Sequence, residues 1–298
     1  MNTYTIKDFN KQFPTDNECL DYLFKARYPK GVYCEKCRKV TPRYRIANRK
    51  VYSCQFCGAH VSPTAGTIFH KSDTPLRSWF HAIFLMASTK TGISAKQLQR
   101  ELGVTYKTAW RMFGQVRKLM AEDINPLSGH VEVDETYIGG KRRGKRGRGA
   151  LGKTIVMGMV ERDGQAITQV IPNTKANTLL PMIEAKVAKR NKTVIYTDEY
   201  PSYNNVEKLG YGHEIVQHAA KQYVSGVAHV NTVESLWSNI KRGIDGVNHS
   251  VSPLYLQSYL DSYVYRYNHR KDDCPMFLTL LGRVSTLIRV VRTSLVTP

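Results

Sequence analysis

Cys34-Glu-Lys-Cys37 and Cys54-Gln-Phe-Cys57 are separated by sixteen residues, and few sequence features constrain a fold so tightly. Each C-x-x-C turn offers two thiolates from one side of a tight loop. A hairpin of this length folds the two pairs into one tetrahedral S4 site. Tyr44-Arg45-Ile46 and Val51-Tyr52-Ser53, between the pairs, read as strands. The pattern predicts a zinc ribbon with one structural Zn2+ per chain on Cys34, Cys37, Cys54 and Cys57. Cys19 and Cys274 stand alone, so the six cysteines follow metal arithmetic and not a disulfide framework. A reducing cytoplasm is the expected compartment.

The charge balance narrows the partner. There are 44 Lys+Arg against 24 Asp+Glu in 298 residues, a net charge of +20. That footprint suits a nucleic acid better than a membrane or a small acidic molecule. No apolar run approaches the length of a bilayer span, and the first residues lack a secretory core.

Ahead of the ribbon, Thr15-Asp-Asn-Glu18 is a capping box that opens a short helix. After the ribbon, Pro75 precedes a buried-looking helix over 76–87. Ser94-Ala-Lys-Gln97 is a second capping box, Gly103-Val104 turns the chain, and Thr105 caps a longer helix to Leu119. A short helix, a glycine turn and a longer helix read as helix-turn-helix. In that reading Tyr106, Lys107 and Arg111 face a DNA groove, and Trp110 and Phe113 belong to the core.

Pro126-Leu-Ser-Gly129 is a linker, and the pattern beyond it changes. His130-Val-Glu-Val-Asp134 alternates, which puts Glu132 and Asp134 on one strand face. Ile155–Val160 and Ala166–Ile171 are further strands joined by Asp163-Gly164. A helix is expected over 178–189. Val194-Ile-Tyr-Thr-Asp198 ends a run apolar enough for a central parallel strand. A less regular stretch with Ile215-Val216 follows, and His229-Val-Asn231-Thr-Val-Glu234 opens a helix. The order β-β-β-α-β, a further strand, then a helix is that of the ribonuclease-H-like fold.

In that fold the first and fourth strands are parallel neighbours, so Asp134 and Asp198 come together near strand ends, where ligands of open α/β sheets gather. Glu234 would join them from a helix packed on the sheet. Asn231, three residues earlier, and Lys241, seven later, share its helix face. Such acids suit two divalent ions at a phosphoryl-transfer centre, and the ammonium of Lys241 could hold a phosphate beside them. Glu132, Glu135 and Glu199 have weaker claims. His229 reads as a helix-entry residue and Trp237 as core. The run Lys141, Arg142, Arg143, Lys145, Arg146 and Arg148, spaced by glycines, is suited to a phosphate backbone.

Taken together, the chain resembles insertion-sequence DDE transposases with an N-terminal zinc ribbon, the ISXO2-like group of prokaryotic relatives of the Merlin transposons. The matching segments are the two C-x-x-C pairs, Ala65-Gly-Thr-Ile-Phe-His70, Pro75-Leu-x-x-Trp-Phe80, Val133-Asp-Glu-Thr-Tyr-Ile-Gly-Gly140, Thr197-Asp-Glu-Tyr200, His229-x-Asn231-x-x-Glu234-x-x-Trp-Ser-x-x-Lys-Arg242 and Tyr267-Asn-His-Arg270. The resemblance spans nearly the whole chain. It implies double-stranded DNA as partner, both transposon ends and target. It also implies two catalytic Mg2+ ions that Mn2+ could replace, Arg242 among the DNA contacts, and action in a bacterial cytoplasm at the nucleoid. Joining two ends implies a homodimer or larger assembly. The group's third ligand is Asn or Glu, and both Asn231 and Glu234 are present.

The expected architecture is α+β and multidomain. It comprises an N-terminal helix (1–28), a zinc ribbon (29–62), a helical helix-turn-helix region (63–125) and a ribonuclease-H-like catalytic domain with a mixed sheet and C-terminal helices (126–298). The rival readings are a structure-specific nuclease on the same fold, which cuts without joining, and a DNA-binding regulator derived from a transposase.

Overall fold

The computed structural model describes residues 4–140, 152–189, 193–216 and 229–293. The chain divides into two compact units. The first comprises 1–89, 95–119 and 272–298, and the second 90–94 and 120–271. Among the described residues no helix is long and apolar enough to cross a membrane.

The first unit opens with α1 (Ile6–Gln12) and α2 (Asp16–Arg27), each begun by a capping box, at Thr5 with Asp8 and at Thr15 with Glu18. The ribbon that follows is built from very short strands. β1 (Val32–Cys34) pairs with β2 (Lys39–Thr41), and β4 (Tyr52–Cys54) pairs with β3 (Arg43–Arg45) and β5 (His60–Val61). Both cysteine pairs sit at strand ends. The residue after each pair is left-handed, Arg38 at φ 52° and Gly58 at φ 72°, a conformation glycine adopts at no steric cost.

Beyond the ribbon, α3 (Leu76–Ser88) has no capping side chain of its own at Pro75. The carboxylate of Asp16 takes that place, accepting from the backbone N–H of Leu76 and Arg77 at 2.9 Å each. α4 (Ala95–Leu102) and α5 (Tyr106–Met120) flank a three-residue turn, as expected. Ala109, Met112, Phe113, Val116 and Leu119 form the buried stripe of α5. Trp110 lies off that stripe and is 37% exposed, so it is not the core residue expected from its type.

The C-terminal helix α9 (Met276–Thr293) also differs from expectation. Instead of belonging with the catalytic domain, it packs on α3 and α2 in the first unit. Phe277 makes the reason clear. Its ring lies 5.2 Å from Tyr4, 5.8 Å from Phe9, 6.0 Å from Phe13 and 5.7 Å from Phe84, centroid to centroid. Aromatic groups at these distances bury a large apolar area and add edge-to-face attraction.

The second unit carries a five-stranded sheet. β6 (His130–Ile138) is central, antiparallel to β7 (Thr154–Glu161) on one side and parallel to β9 (Val194–Asp198) on the other. β8 (Ala166–Ile171) extends the sheet antiparallel to β7, and β10 (Gly212–Val216) extends it parallel to β9. The order β10-β9-β6-β7-β8 is the mixed sheet of the ribonuclease-H-like fold. α6 (Ala176–Lys186) covers one face, with Leu179 and Ile183 against Val131, Val133, Met157 and Ile195. α7 (Asn231–Gly243) and α8 (Pro253–Asn268) cover the other, where Val233, Leu236, Trp237 and Leu260 meet Val156, Val160 and Tyr196. Alternation along β6 and β7 therefore feeds two cores.

Candidate active site

Two residues on from the last paired position of β6 and β9, Glu132 opposite Tyr196, come Asp134 and Asp198, level with each other on neighbouring parallel strands. Asp134 is largely buried. Desolvation, then the negative charges of Glu135 and Asp198, push its carboxyl up to about 7. Asp198 accepts from the backbone N–H of Tyr200 at 3.1 Å. The raised proton affinity of Asp134, beside a second carboxylate, marks a place short of positive charge. Hard carboxylate oxygens there fit a divalent cation such as Mg2+.

The indole of Trp237 reaches the same place, with Nε1 donating to Asp134 Oδ2 at 3.0 Å. Gly158 makes this possible. It lies opposite Asp134 on β7, and a Cβ there would sit 2.4 Å from the Trp237 ring. The buried stripe of α7 is Val233, Leu236, Trp237, Ile240 and Gly243, and Gly243 abuts Tyr263 of α8. Glu234 and Lys241 lie on the other flank of that stripe, beyond Trp237, about 60° and 40° round the helix at 3.6 residues per turn. Asn231 is about 120° round and one turn further back. The helix phase thus brings Glu234 nearer to the Asp134 side than Asn231. The carboxylates of Asp134, Asp198 and Glu234 do not close into a trio. Among the described residues, the only group of three or more His, Cys, Asp or Glu with all ligand atoms within 4.8 Å is the cysteine set. Further along β6, Tyr137, Ile138, Lys153, Lys241 and His249 line a cleft of about 540 Å³.

Glu132 is the residue that sequence reasoning undervalued. It is fully buried, yet it has polar partners on every side. Its carboxylate accepts from the backbone N–H of Thr232 at 2.8 Å and of Val233 at 3.0 Å, and from the Thr232 hydroxyl at 2.9 Å. Arg162 Nε donates to it at 2.8 Å, and His229 Nδ1 lies 3.0 Å away. The guanidinium of Arg162 sits 4.0 Å over the Tyr196 ring and also donates to the His229 carbonyl at 2.8 Å. α7 has no capping side chain at Val230. Glu132 does that work across a hundred residues, satisfying first-turn donors and complementing the helix dipole. Alternation placed Glu132 on the Asp134 face, but nothing local in the sequence identifies its partners. Glu132→Ala is expected to lower the melting temperature by roughly 6–12 °C, on the order of 3 kcal/mol, because it takes the carboxylate from the part-buried Arg162 and leaves two helix N–H groups without their acceptor. Calorimetry of the purified variant checks this, and a shift within about 1 °C would show that the network does not hold α7.

The other acids separate cleanly. Glu135 points to the opposite face, where the buried Tyr203 hydroxyl donates to it at 2.5 Å, and Glu199 is exposed. In the first unit Tyr106 and Lys107 are exposed, with the Tyr106 and Trp110 rings stacked 6.4 Å apart. Arg111 is tethered: it donates to Ser72 Oγ at 2.9 Å and lies 5.4 Å over the Trp79 ring. The cationic run Lys141, Arg142, Arg143, Lys145, Arg146 and Arg148 falls outside the described residues.

The four cysteines do converge. Cys34 Sγ lies 3.4 Å from Cys57 Sγ, and Cys37 Sγ lies 3.8 Å from Cys54 Sγ. A tetrahedron with metal–sulfur bonds of about 2.3 Å has edges of about 3.8 Å, so the cage fits zinc. The Thr41 hydroxyl, 3.3 Å from Cys54 Sγ, and backbone N–H groups hold that thiol down to about 5. The sulfur of Cys57 and burial push Cys37 up to about 12.

Two family models match the chain, one within each unit. Residues 14–60 match the transposase zinc-ribbon domain, and residues 126–268 match the ISXO2-like transposase domain. A protein of Halobacterium salinarum, described as an uncharacterized protein in transposable element ISH50, is 29% identical over 276 residues. That match covers 86% of this chain and 92% of that protein. An uncharacterized transposase-like protein of Haemophilus influenzae is 26% identical over 129 residues, 43% of this chain and 95% of its own length. Among solved structures, the catalytic core domain of BIV integrase aligns at 15% identity and a TM-score of 0.34, covering 54% of this chain and 98% of that one.

Proposed function

Because the chain belongs to the ISXO2-like transposases, with a transposase zinc ribbon ahead of the transposase domain, we propose that it moves an insertion sequence by cutting DNA at the element's ends and joining the 3′-hydroxyls to target DNA. The observation that carries this reading is that Asp134 and Asp198 stand two residues beyond the last paired position of neighbouring parallel strands, with α7 fastened to the sheet by Glu132 and Trp237. Two phosphodiester exchanges follow. Water attacks the phosphorus at the element end and the released 3′-oxygen leaves with a proton. That hydroxyl then attacks a target phosphodiester, forming one P–O bond as another breaks.

In this reading Asp134, Asp198 and Glu234 hold two Mg2+ ions, which Mn2+ can replace. Bound magnesium supplies Lewis-acid polarisation of the phosphate and of the attacking oxygen. Asn231 assists or contacts DNA, and Lys241 holds a phosphate at the cleft wall. Tyr106, Lys107 and Arg111 on the helix-turn-helix read the terminal repeat beside the zinc-loaded ribbon. Arg242 and the loop cations Lys141, Arg142, Arg143, Lys145, Arg146 and Arg148 bind backbone. Two ends held together call for a homodimer or larger complex on DNA.

The test is an assay of cleavage and joining on inverted-repeat duplexes taken from beside the gene. Wild-type protein is expected to do both. Glu234→Gln is expected to lose about a thousandfold or more of joining, as for removal of a charged group acting in the transition state. Asn231→Ala should fall less and recover in part with manganese. Cutting without joining would make the protein a nuclease. Robust joining by Glu234→Gln beside a dead Asn231→Ala would transfer the third-ligand role to Asn231.

A further inference from the structure

Four cations meet in a pocket that, among the described residues, no carboxylate lines. Lys90, Arg242, Arg266 and Arg270 surround a space of about 180 Å³, with Asn239 at its edge. The pocket lies wholly in the second unit. On α7 it takes Leu236, Asn239, Ile240 and Arg242, which centre on the side of the helix away from Glu234 and Lys241, and it shares no lining residue with the cleft that Lys241 borders.

The guanidinium groups are held in place. Arg270 lies 3.8 Å over the Tyr267 ring and donates to the carbonyl of Tyr267 at 2.6 Å and of Gly164 at 3.2 Å. Arg266 lies 4.9 Å over the Tyr263 ring and close against Gly92. The residues between fix the helix end that carries them. Asn268 accepts from the backbone N–H of Ala166 at 2.7 Å and donates to its carbonyl at 3.1 Å, and His269 Nε2 lies 2.8 Å from Glu122. The segment Tyr267-Asn-His-Arg270 thus builds a stiff, cationic wall. Gathering like charges in a small concave space is costly without an anion, and planar guanidinium groups match phosphate oxygens in pairs.

We infer that this pocket seats a backbone phosphodiester of duplex DNA, on the side of α7 away from the acids. The inference rests on the transposase reading and adds to it a second place where the duplex is gripped. Burial pushes Arg266 down to about 10, which leaves it charged at neutral pH.

The experiment uses the full zinc-loaded chain and a mixed-sequence duplex oligonucleotide, with the dissociation constant followed across a salt series. Asn239→Glu places a carboxylate in the pocket next to Arg242, which already bonds Asn239 at 2.7 Å, at an exposed helix position. Lys90→Gln with Arg242→Gln removes two exposed cations and provides a second variant should the first misfold. Each is expected to bind about tenfold more weakly and to reduce the salt slope by about one, the value for one lost phosphate. Inorganic phosphate should raise the melting temperature of the wild type and not of Asn239→Glu. Wild-type slopes in both variants overturn the inference. Phosphate protection with unchanged duplex slopes also overturns it, and assigns the pocket to a small free anion. If the wild type binds no duplex at all, the transposase reading itself fails, a result distinct from wild-type binding by the variants.

Discussion

Asp134→Asn is expected to raise the melting temperature of the metal-free protein by roughly 5–10 °C at pH 8, while removing cleavage and joining. The two effects have one cause. The Asp134 carboxyl goes from an ordinary 3.8 to about 7 in the fold, through burial and the charges of Glu135 and Asp198. The folded protein therefore holds this proton more tightly than the unfolded chain. Stability falls as pH rises from about 4 to about 7, and the whole cost is present above that window. Its size is on the order of 4 kcal/mol. Asparagine is neutral and still offers Trp237 an oxygen, so the cost disappears and the hydrogen bond survives. The site then lacks a full negative charge for a divalent ion, and the protection expected of added magnesium in the wild type should be absent. Thermal scans at pH 5 and pH 8, with and without magnesium, measure this. Asp198→Ala should match the loss of chemistry. Equal melting of wild type and Asp134→Asn at pH 8, or joining by either variant, would sink the assignment.

The second large effect concerns the ribbon. Cys34→Ser combined with Cys54→Ser should reduce bound zinc from about one ion per chain to none and unfold residues 29–62. The five strands there are two or three residues long, and few large side chains are buried among them. Thiolate–zinc bonding worth about 10–16 kcal/mol outweighs anything that core can supply. α2 should survive, since Leu20 and Leu23 are buried and its capping box is local. The stacking of Phe24 on Tyr52, with ring centres 4.0 Å apart, should be lost with the ribbon. Metal analysis and limited proteolysis check this together. Full zinc retention would refute the site, and uniform cleavage along the chain would show that the ribbon is not a separate folding element.

Much of this was legible in the sequence because it is encoded locally. Cysteine spacing announces the ribbon, and alternation at 130–134 with an apolar run at 194–197 announces two central strands. From those, the meeting of Asp134 and Asp198 follows. The edge strand β10 was harder to see, because only Ile215-Val216 stands out from a polar stretch. The stripe Ala109, Met112, Phe113 and Val116 was readable, and it already excluded Trp110, whose aromatic character suggested the opposite. What local pattern cannot carry is the identity of partners far along the chain. Glu132 reads as one of several acids until Arg162 and the start of α7 are seen around it. The Tyr267-Asn-His-Arg270 segment marks a family, but its two hydrogen bonds to Ala166 have no sequence signature.

The return of α9 to the first unit has a consequence for the order of synthesis. Phe277 completes an aromatic cluster whose other members, Tyr4, Phe9, Phe13 and Phe84, leave the ribosome long before it. Domains tend to fold as units in the order they are made, but this unit cannot finish in that order. Its earlier helices must wait, with an apolar face uncovered, until the whole sheet-bearing unit has emerged. A nascent chain stalled before residue 277 therefore has a complete sheet region and an unfinished N-terminal unit. A segment translated after the sheet closes a unit begun before it.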